Sequence, residues 1–414
     1  MKGIWITGVL VLFTLRVSAQ IASRCPAPPD RTEPITPKSA PARDAYVGDD
    51  VCTSCHQQQS SSYQQTAHRR TSQLPDKSSV LGAFGKGENS FTTSNPELVF
   101  RMDEKSDGLF QTAIEGIAPY TTERTERLDF VVGSGGKGQT YLFWKGERLF
   151  QLPISFWREL GWVNSPGYRD GVAYFDRPIL PRCLECHATY FETLAVPNRY
   201  RKTGFVLGIS CEKCHGPGRE HATWEKSQST RSPKSGILNP ARFPRDRQMD
   251  LCAWCHAGHG TPTAATFSYI PGQRLADYVE LPKIDPEAEL DVHGSQVELL
   301  ERSRCFQSSE MTCLTCHDVH TTQHGPDHFS KICLNCHKPE AFSKAGHPAG
   351  NNCIDCHMPR QQTNLIVFAL KGKSARPEVR SHWIRIYEAD KPGQSKMDPS
   401  APPLGYGVSL PVTR

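Results

Sequence analysis

Seven copies of the pattern Cys-x-x-Cys-His occur in this 414-residue chain, and they use fourteen of its sixteen cysteines. This pattern attaches c-type haem: each cysteine sulfur bonds to one vinyl group of the porphyrin, and the adjacent histidine becomes the proximal ligand of the iron. The cysteines are Cys52, Cys55, Cys183, Cys186, Cys211, Cys214, Cys252, Cys255, Cys313, Cys316, Cys333, Cys336, Cys353 and Cys356, and the histidines are His56, His187, His215, His256, His317, His337 and His357.

Two other kinds of site also use Cys-x-x-Cys pairs, the zinc ribbon and the redox dithiol. Neither requires a histidine directly after the second cysteine. Histidine makes up only 16 of the 414 residues, yet it holds that position in all seven copies. The sequence therefore predicts seven covalently attached haem c groups.

Nine histidines lie outside the motifs and are candidates for the distal ligands of the irons. Two histidine ligands saturate an iron, which then carries electrons only, whereas a five-coordinate iron keeps a position for a substrate. A histidine three residues after a proximal one, such as His259, is too close to reach the far face of its own haem. The preferred distal ligands are His68, His221, His293, His320, His347 and His382; the seventh position is left to His259, His324 or His328, or is vacant.

The composition suggests a fold that depends on its haems. Only 37% of the residues are hydrophobic, which is low for cores in a chain of this length. We therefore expect a mostly irregular and α-helical multihaem fold, with short helices around stacked haems and a small β-rich insertion. The formal net charge of +5 omits the haem propionates, so it does not indicate binding to nucleic acid or to a membrane surface.

The N-terminus resembles a secretory signal peptide. Residues 1–19 contain a basic Lys2, an apolar run and a small-residue cleavage site. The alternative is an uncleaved anchor, but the apolar run of about thirteen residues is short for a bilayer. No later stretch is apolar enough to span one, so we expect a periplasmic or extracellular protein. The two spare cysteines, Cys25 and Cys305, could form a disulfide in that compartment.

The chain divides by composition into successive segments. We expect a glycine-rich hairpin turn at 133–138, because the β-rich residues that follow contradict the helix that a dinucleotide-binding G-x-G-x-x-G requires. Short strands are predicted at 98–102, 109–114, 128–132 and 141–144. The predicted segments are a proline-rich linker at 20–45, a first haem segment at 46–75, a β-rich haem-free insertion at 76–178, haems two to four with a connector at 179–312, haems five to seven at 313–385, and a disordered tail at 386–414.

Several stretches resemble the cytochrome c-554 group of exported bacterial multihaem proteins. They are Tyr-Val-Gly at 46–48 followed by the first motif and Thr-Ala-His at 66–68, Cys-His-Gly-Pro-Gly at 214–218 with His221, Cys-His-Asp-Val-His at 316–320, and Cys-His-Met-Pro at 356–359. The resemblance covers roughly residues 46–385 and implies stacked, mostly bis-histidine haems that transfer electrons, with His68, His221 and His320 at distal positions. The chain departs from the group in having seven motifs rather than four or eight, and it lacks Cys-x-x-Cys-Lys.

We therefore expect an electron-relay cytochrome whose redox partners are donor and acceptor cytochromes or a membrane quinol-oxidising complex. One alternative is an oxidoreductase acting on a small nitrogen or sulfur compound at one five-coordinate haem, with Arg69, Arg70 and Lys331 attracting an anion. Another is a subunit of a homo-oligomer or haem filament docked through the tail from Lys391.

Overall fold

Two antiparallel sheets between residues 72 and 164 form the largest region of regular structure. The computed structural model describes residues 39–196, 198–227, 236–281, 290–338, 340 and 352–387, which belong to one compact unit. The strands are β1 Ser72–Gln73, β2 Ser90–Thr92, β3 Leu98–Lys105, β4 Gly108–Ile117, β5 Tyr120–Arg127, β6 Phe130–Val132, β7 Gly138–Lys145, β8 Arg148–Gln151, β9 Ile154–Trp157 and β10 Gly161–Asn164. One sheet has the order β2-β3-β4-β5, and the other has β1-β6-β7-β9-β10 with β8 also paired to β7.

The two sheets share one hydrophobic core. Every second residue of β3 points inward, so that Leu98, Phe100 and Met102 are completely buried. They pack in one cluster with Tyr141 and Phe143 of β7. The arrangement is a small β-sandwich held together by large apolar side chains.

Truncating the core should measure how much this packing stabilises the sandwich. Phe100→Ala is expected to cost about 3–5 kcal/mol, because it deletes a fully buried ring. Ile117→Ala should stay within about 0.5 kcal/mol, since Ile117 is 66% exposed. Denaturant midpoints followed by circular dichroism at strand wavelengths would measure both, and equal midpoints would contradict the shared core.

The glycine-rich segment forms the expected hairpin turn. Residues 133–137 connect β6 to β7, and these strands pair antiparallel. Gly133 has φ +110°, and a Cβ there would lie 2.6 Å from the Gly138 carbonyl oxygen. Glycine is required by the turn itself.

The expected fold class is wrong. Of the described residues, 26% are helical and 28% lie in strands, so the fold has a β-rich core rather than a small β insertion. The hydrophobic fraction misled the prediction because the apolar residues between 91 and 175 are enough to form a core of their own. The strand β5 was also missed: it is an exposed edge strand with the sequence Tyr-Thr-Thr-Glu-Arg-Thr-Glu-Arg and has no apolar alternation.

The other face of the larger sheet carries the haem-motif region. Phe130, Leu142 and Leu149 pack there against Leu184 and Tyr200. Tyr200 lies in one of four two-stranded ribbons: β11 Ala188–Thr193 with β12 Tyr200–Leu207, β13 Thr261–Pro262 with β14 Val279–Glu280, β15 Arg360–Gln362 with β18 Glu378–Arg380, and β16 Phe368–Leu370 with β17 Lys373–Ala375. The sheet is thus a platform for the second motif, which begins one residue before Leu184.

The helices are short, and most of them carry a haem motif. Within the described ranges, no helix has both the length and the apolar character needed to cross a bilayer. The α-helices are α1 Asp49–Thr53, α2 Gln57–Tyr63, α3 Pro181–His187, α4 Cys211–His215, α5 Arg219–Ser227, α6 Arg245–His256, α7 Gln296–Glu301, α8 Arg304–Gln307, α9 Pro326–Leu334 and α10 Cys353–His357, and the 3-10 turns are Arg43–Ala45, Pro240–Arg242, Leu275–Asp277 and Cys313–Thr315.

Candidate haem-binding region

Each motif sits on a single helical turn or across the end of a helix. The turn brings the two cysteines to the same side, because residues three apart are neighbours on a helix. The backbone nitrogens of His56, His317 and His337 each donate to the carbonyl of the first cysteine of their motif, at 2.9, 3.0 and 3.0 Å. All fourteen motif cysteines are described, and none of them forms a disulfide. Local geometry at the seven positions therefore fits covalent haem attachment.

The first motif packs against the third, not the second. Asp49 of α1 accepts a hydrogen bond from the Cys211 backbone nitrogen at 3.0 Å. Glu212 of α4 accepts from the backbone nitrogens of Val47 and Gly48 at 2.9 and 2.8 Å. These bonds cross more than 160 residues of sequence and hold α1 beside α4. Motifs one and three are neighbours in space.

The second motif packs against the fourth. Arg182 of α3 donates to the Trp254 carbonyl of α6 at 2.6 Å. The Cys186 sulfur lies 3.9 Å from that same carbonyl oxygen, and the Cys255 sulfur lies 4.0 Å from the Glu185 carbonyl oxygen. The two helices therefore place their motif cysteines face to face.

The last three motifs continue from the fourth. The Cys313 sulfur lies 3.9 Å from the Met249 sulfur of α6, which joins motif five to motif four. The His317 ring lies 5.5 Å from the ring of Phe329 on α9, which leads into motif six. Ser330 of α9 accepts from the Cys353 backbone nitrogen at 3.0 Å and joins motif six to motif seven. Lys213 of motif three lies with its Nζ 3.7 Å from the ring centroid of Trp254 in motif four, which joins the two sets of motifs. All seven motifs are thus connected through contacts between neighbours.

Three motif histidines face a histidine from a distant part of the chain. The paired rings are His256 with His68, His215 with His320, and His317 with His382, and their centroids are 6.1 Å apart in every case. Two imidazoles on opposite sides of one metal ion, each with a metal–nitrogen bond of about 2 Å, have centroids roughly 6 Å apart. The three pairs therefore have the separation that one iron between them requires.

Backbone hydrogen bonds fix the position of His68, the histidine outside the motifs in the pair with His256. Tyr63 on α2 donates its hydroxyl to the Ile209 carbonyl at 2.5 Å. The Ile209 nitrogen in turn donates to the His68 carbonyl at 3.0 Å. His68 is thereby fixed beside the chain that enters motif three, where its ring reaches His256.

Several proximal histidines are oriented by a hydrogen bond on the nitrogen that would not bind iron. The Nδ1 atoms of His215 and His357 lie 2.7 and 2.8 Å from the carbonyl oxygens of Leu238 and Arg385. A bond of this kind fixes the tautomer and directs Nε2 at the metal. Burial lowers the pKa of His187, His256 and His382 to about 4, so these rings are neutral near pH 7 and present a lone pair to a metal.

The other predicted distal histidines fall into three groups. His293 and His259 both lie near the buried His187, whose pKa they lower further after the larger effect of burial. His221 stands on α5 with its Nδ1 4.0 Å from Glu225, and His347 lies outside the described residues. His324 and His328 stack on each other with ring centroids 3.9 Å apart.

Of the two spare cysteines, Cys305 lies on α8, and Cys25 lies outside the described residues.

Five buried charged residues inside or next to the motifs were not among the predicted site residues. Asp49, Arg182, Glu185, Glu212 and Lys213 are all 7% exposed or less. Charged residues at the variable positions of Cys-x-x-Cys loops were the available signal, since charges are seldom buried unless they are paired or functional. They form the contacts that set which motifs are neighbours.

Comparison with known proteins gives one family match. The family model for cytochrome c554 and c-prime matches residues 51–91 and 171–216, which include the first three motifs. No curated protein matches this chain. A solved structure of the outer cell wall cytochrome OcwA has a TM-score of 0.47 at 18% identity, covering 82% of this chain and 80% of that one.

Proposed function

We propose that this chain is a multihaem c-type cytochrome that relays electrons through seven closely packed, mostly bis-histidine haems. The seven Cys-x-x-Cys-His motifs and the family match over residues 51–91 and 171–216 support this proposal. Each bound haem supplies one iron that carries one electron. The protein attaches the seven groups, keeps them close together and occupies their axial positions. A saturated iron offers no position to a substrate, which favours a relay over an enzyme with its own substrate.

The observation that carries this proposal is the set of three histidine pairs at 6.1 Å. In each pair one histidine comes from a motif and the other from a different segment. His68, His320 and His382 would thus serve the fourth, third and fifth haems. All three were chosen as distal ligands from the sequence alone.

The remaining irons have candidate ligands of their own. His293 is the candidate for the second haem, because it lies near the buried His187 and contributes to the low pKa of that ring after the larger effect of burial. His221 is the candidate for the first haem: Gly218, at the start of its helix, donates to Glu212 at 2.8 Å, the same carboxylate that holds Val47 near motif one. The sixth and seventh haems have His324, His328 and His347 within the same part of the sequence.

The contacts between motifs suggest one continuous route for electrons. It runs from motif one to motif three, then to motifs four and five, and through motif six to motif seven. The second motif joins this route at motif four. A donor bound near one end could therefore reduce an acceptor near the other.

The proposed setting is outside the cytoplasm, either in the periplasm or at the cell surface. The proposal depends on the signal-like residues 1–19 and on the attachment of c-type haem after export. The partners would be donor and acceptor cytochromes or a membrane quinol-oxidising complex. Homo-oligomers or filaments are compatible with such a relay.

A ferric-state EPR spectrum of the mature holoprotein, combined with a redox titration, tests the proposal. We expect covalent haem, reversible reduction and low-spin signals only, with a spectrum that does not change when cyanide is added. A protein without covalent haem, or one that cannot be reduced reversibly, would contradict the relay. A high-spin haem perturbed by cyanide or nitrite would instead favour an enzyme acting at one open iron.

A further inference from the structure

A buried lysine lies where three haem motifs meet. Lys213 is the second variable residue of the third motif, Cys-Glu-Lys-Cys, and it is 6% exposed. Its ammonium donates to the carbonyl of Thr189, two residues after His187 of motif two, at 3.4 Å. It also lies 3.7 Å from the ring centroid of Trp254, inside motif four. One side chain therefore contacts motifs two and four from motif three.

Burial lowers the pKa of Lys213, and two aromatic rings offset part of that effect. An ammonium over the face of a tryptophan is held by the ring quadrupole, more strongly when water is excluded. The Phe267 ring, with its centroid 5.4 Å from Nζ, gives a second aromatic wall. These contacts compensate in part for the solvation that the buried lysine has lost.

The charges that face Lys213 do not cancel it. Glu185 lies close by, but it forms an ion pair with Arg182 at 3.4 Å, and that pair is neutral overall. Glu212 is occupied elsewhere, because its carboxylate accepts from the backbone nitrogens of Val47, Gly48 and Gly218. No salt bridge of Lys213 appears within the described residues. The described side chains at the junction of motifs two, three and four, counted without the haem propionates, therefore carry about one net positive charge.

A fixed positive charge near an iron favours the ferrous state, because reduction adds a negative charge. At an effective dielectric constant of about 20 and a separation of roughly 10 Å, the effect on the equilibrium is on the order of tenfold or more. A tenfold change corresponds to about 59 mV for a one-electron couple. The effect should be divided among the haems according to their distance from the ammonium.

We propose that Lys213 is a buried cation that raises the reduction potentials of the haems on motifs two, three and four, so that electrons entering the relay collect at this junction. The inference rests on the proposed relay and adds the place where an electron resides longest. Lys213 acts through the haems and is a positioning residue, not a catalytic one.

The test compares reduction potentials of holoprotein variants by spectroelectrochemical titration. Lys213→Met removes the charge and keeps the length of the side chain, so up to three of the haems should become harder to reduce by about tenfold. Lys213→Arg keeps the charge and should restore most of the wild-type curve. Lys105→Met is the matched control: Lys105 also stacks on an aromatic ring, with its Nζ 4.6 Å from the Phe110 centroid, but it is exposed and lies in the haem-free sheet. Its curve should overlay the wild type.

If Lys213→Met does not fold, a second variant can test the same proposal by changing the charge beside Lys213. Glu185→Gln removes the partner of Arg182 while an oxygen remains to accept from the Phe267 nitrogen, so it adds positive charge to the junction. Its potentials should shift upward, opposite to those of Lys213→Met. Unchanged potentials in either folded variant would overturn the inference. Absence of reversible reduction in the wild-type protein would instead overturn the relay itself.

Discussion

Replacing His68 with alanine is expected to convert one low-spin haem to high-spin and leave the other haems unchanged. The His68 ring lies 6.1 Å from that of His256, and its loss leaves the iron of the fourth motif with five ligands. Ferric EPR should then gain one high-spin signal, and cyanide should remove it. An effect this large follows from the loss of an axial ligand, which sets both spin state and potential.

Two further variants separate ligation from packing at this position. His68→Met offers a thioether in place of the imidazole, so the haem should return to low spin with a higher potential than in the wild type. Gln65→Ala changes a nearby side chain on the same segment and should leave the spectrum unchanged. If the His68→Ala protein stays entirely low-spin, His68 is not the ligand of the fourth haem.

Removing the fourth attachment site should be far more damaging than removing the seventh. The double variant Cys252→Ala with Cys255→Ala leaves α6 without its haem, and α6 contacts motif two through Trp254 and motif five through Met249. We expect a loss beyond about 4–5 kcal/mol, enough to prevent accumulation of folded protein. The haem content and mass of the purified chain, together with its yield, would measure this.

The seventh site provides the matched comparison. The double variant Cys353→Ala with Cys356→Ala removes a haem at the end of the series, where α10 is joined to α9 through Ser330. This protein should fold, carry one haem fewer and keep the strand signal of the β-sandwich. Similar yields for the two double variants would contradict the central place assigned to motif four.

The candidate haem-attachment residues can be proposed from the sequence because their pattern is local. A Cys-x-x-Cys-His segment specifies its own helical turn, and nothing distant is needed to recognise it. The candidate distal ligands are harder to assign to an iron, since the contact of His215 with His320 spans more than a hundred residues and depends on the whole fold. The positions of the histidines outside the motifs give candidate distal ligands, but they do not tell which iron each one serves.

The fold class was predicted incorrectly because a mean composition conceals where apolar residues lie. Leu98, Phe100 and Met102 alternate with polar residues, and that local pattern did predict a strand. The length of each strand, and the number of strands that pair with it, depend on distant segments of the chain. The polar edge strand β5, for example, is a strand because it pairs with β4. Buried charges such as Lys213 escaped notice because the sequence does not reveal that three motifs converge on them.

The packing of motif one on motif three has a consequence for how the protein is made. A chain is synthesised from its N-terminus at about 5–20 residues per second, and its segments fold as they become available. The first haem segment cannot be completed until Cys211 and Glu212 have appeared, and His382 arrives only near the end. The first haem segment must therefore wait, incompletely folded, until about half of the chain has been made. Truncation before Cys211 would then damage the first haem segment, far from the deleted residues.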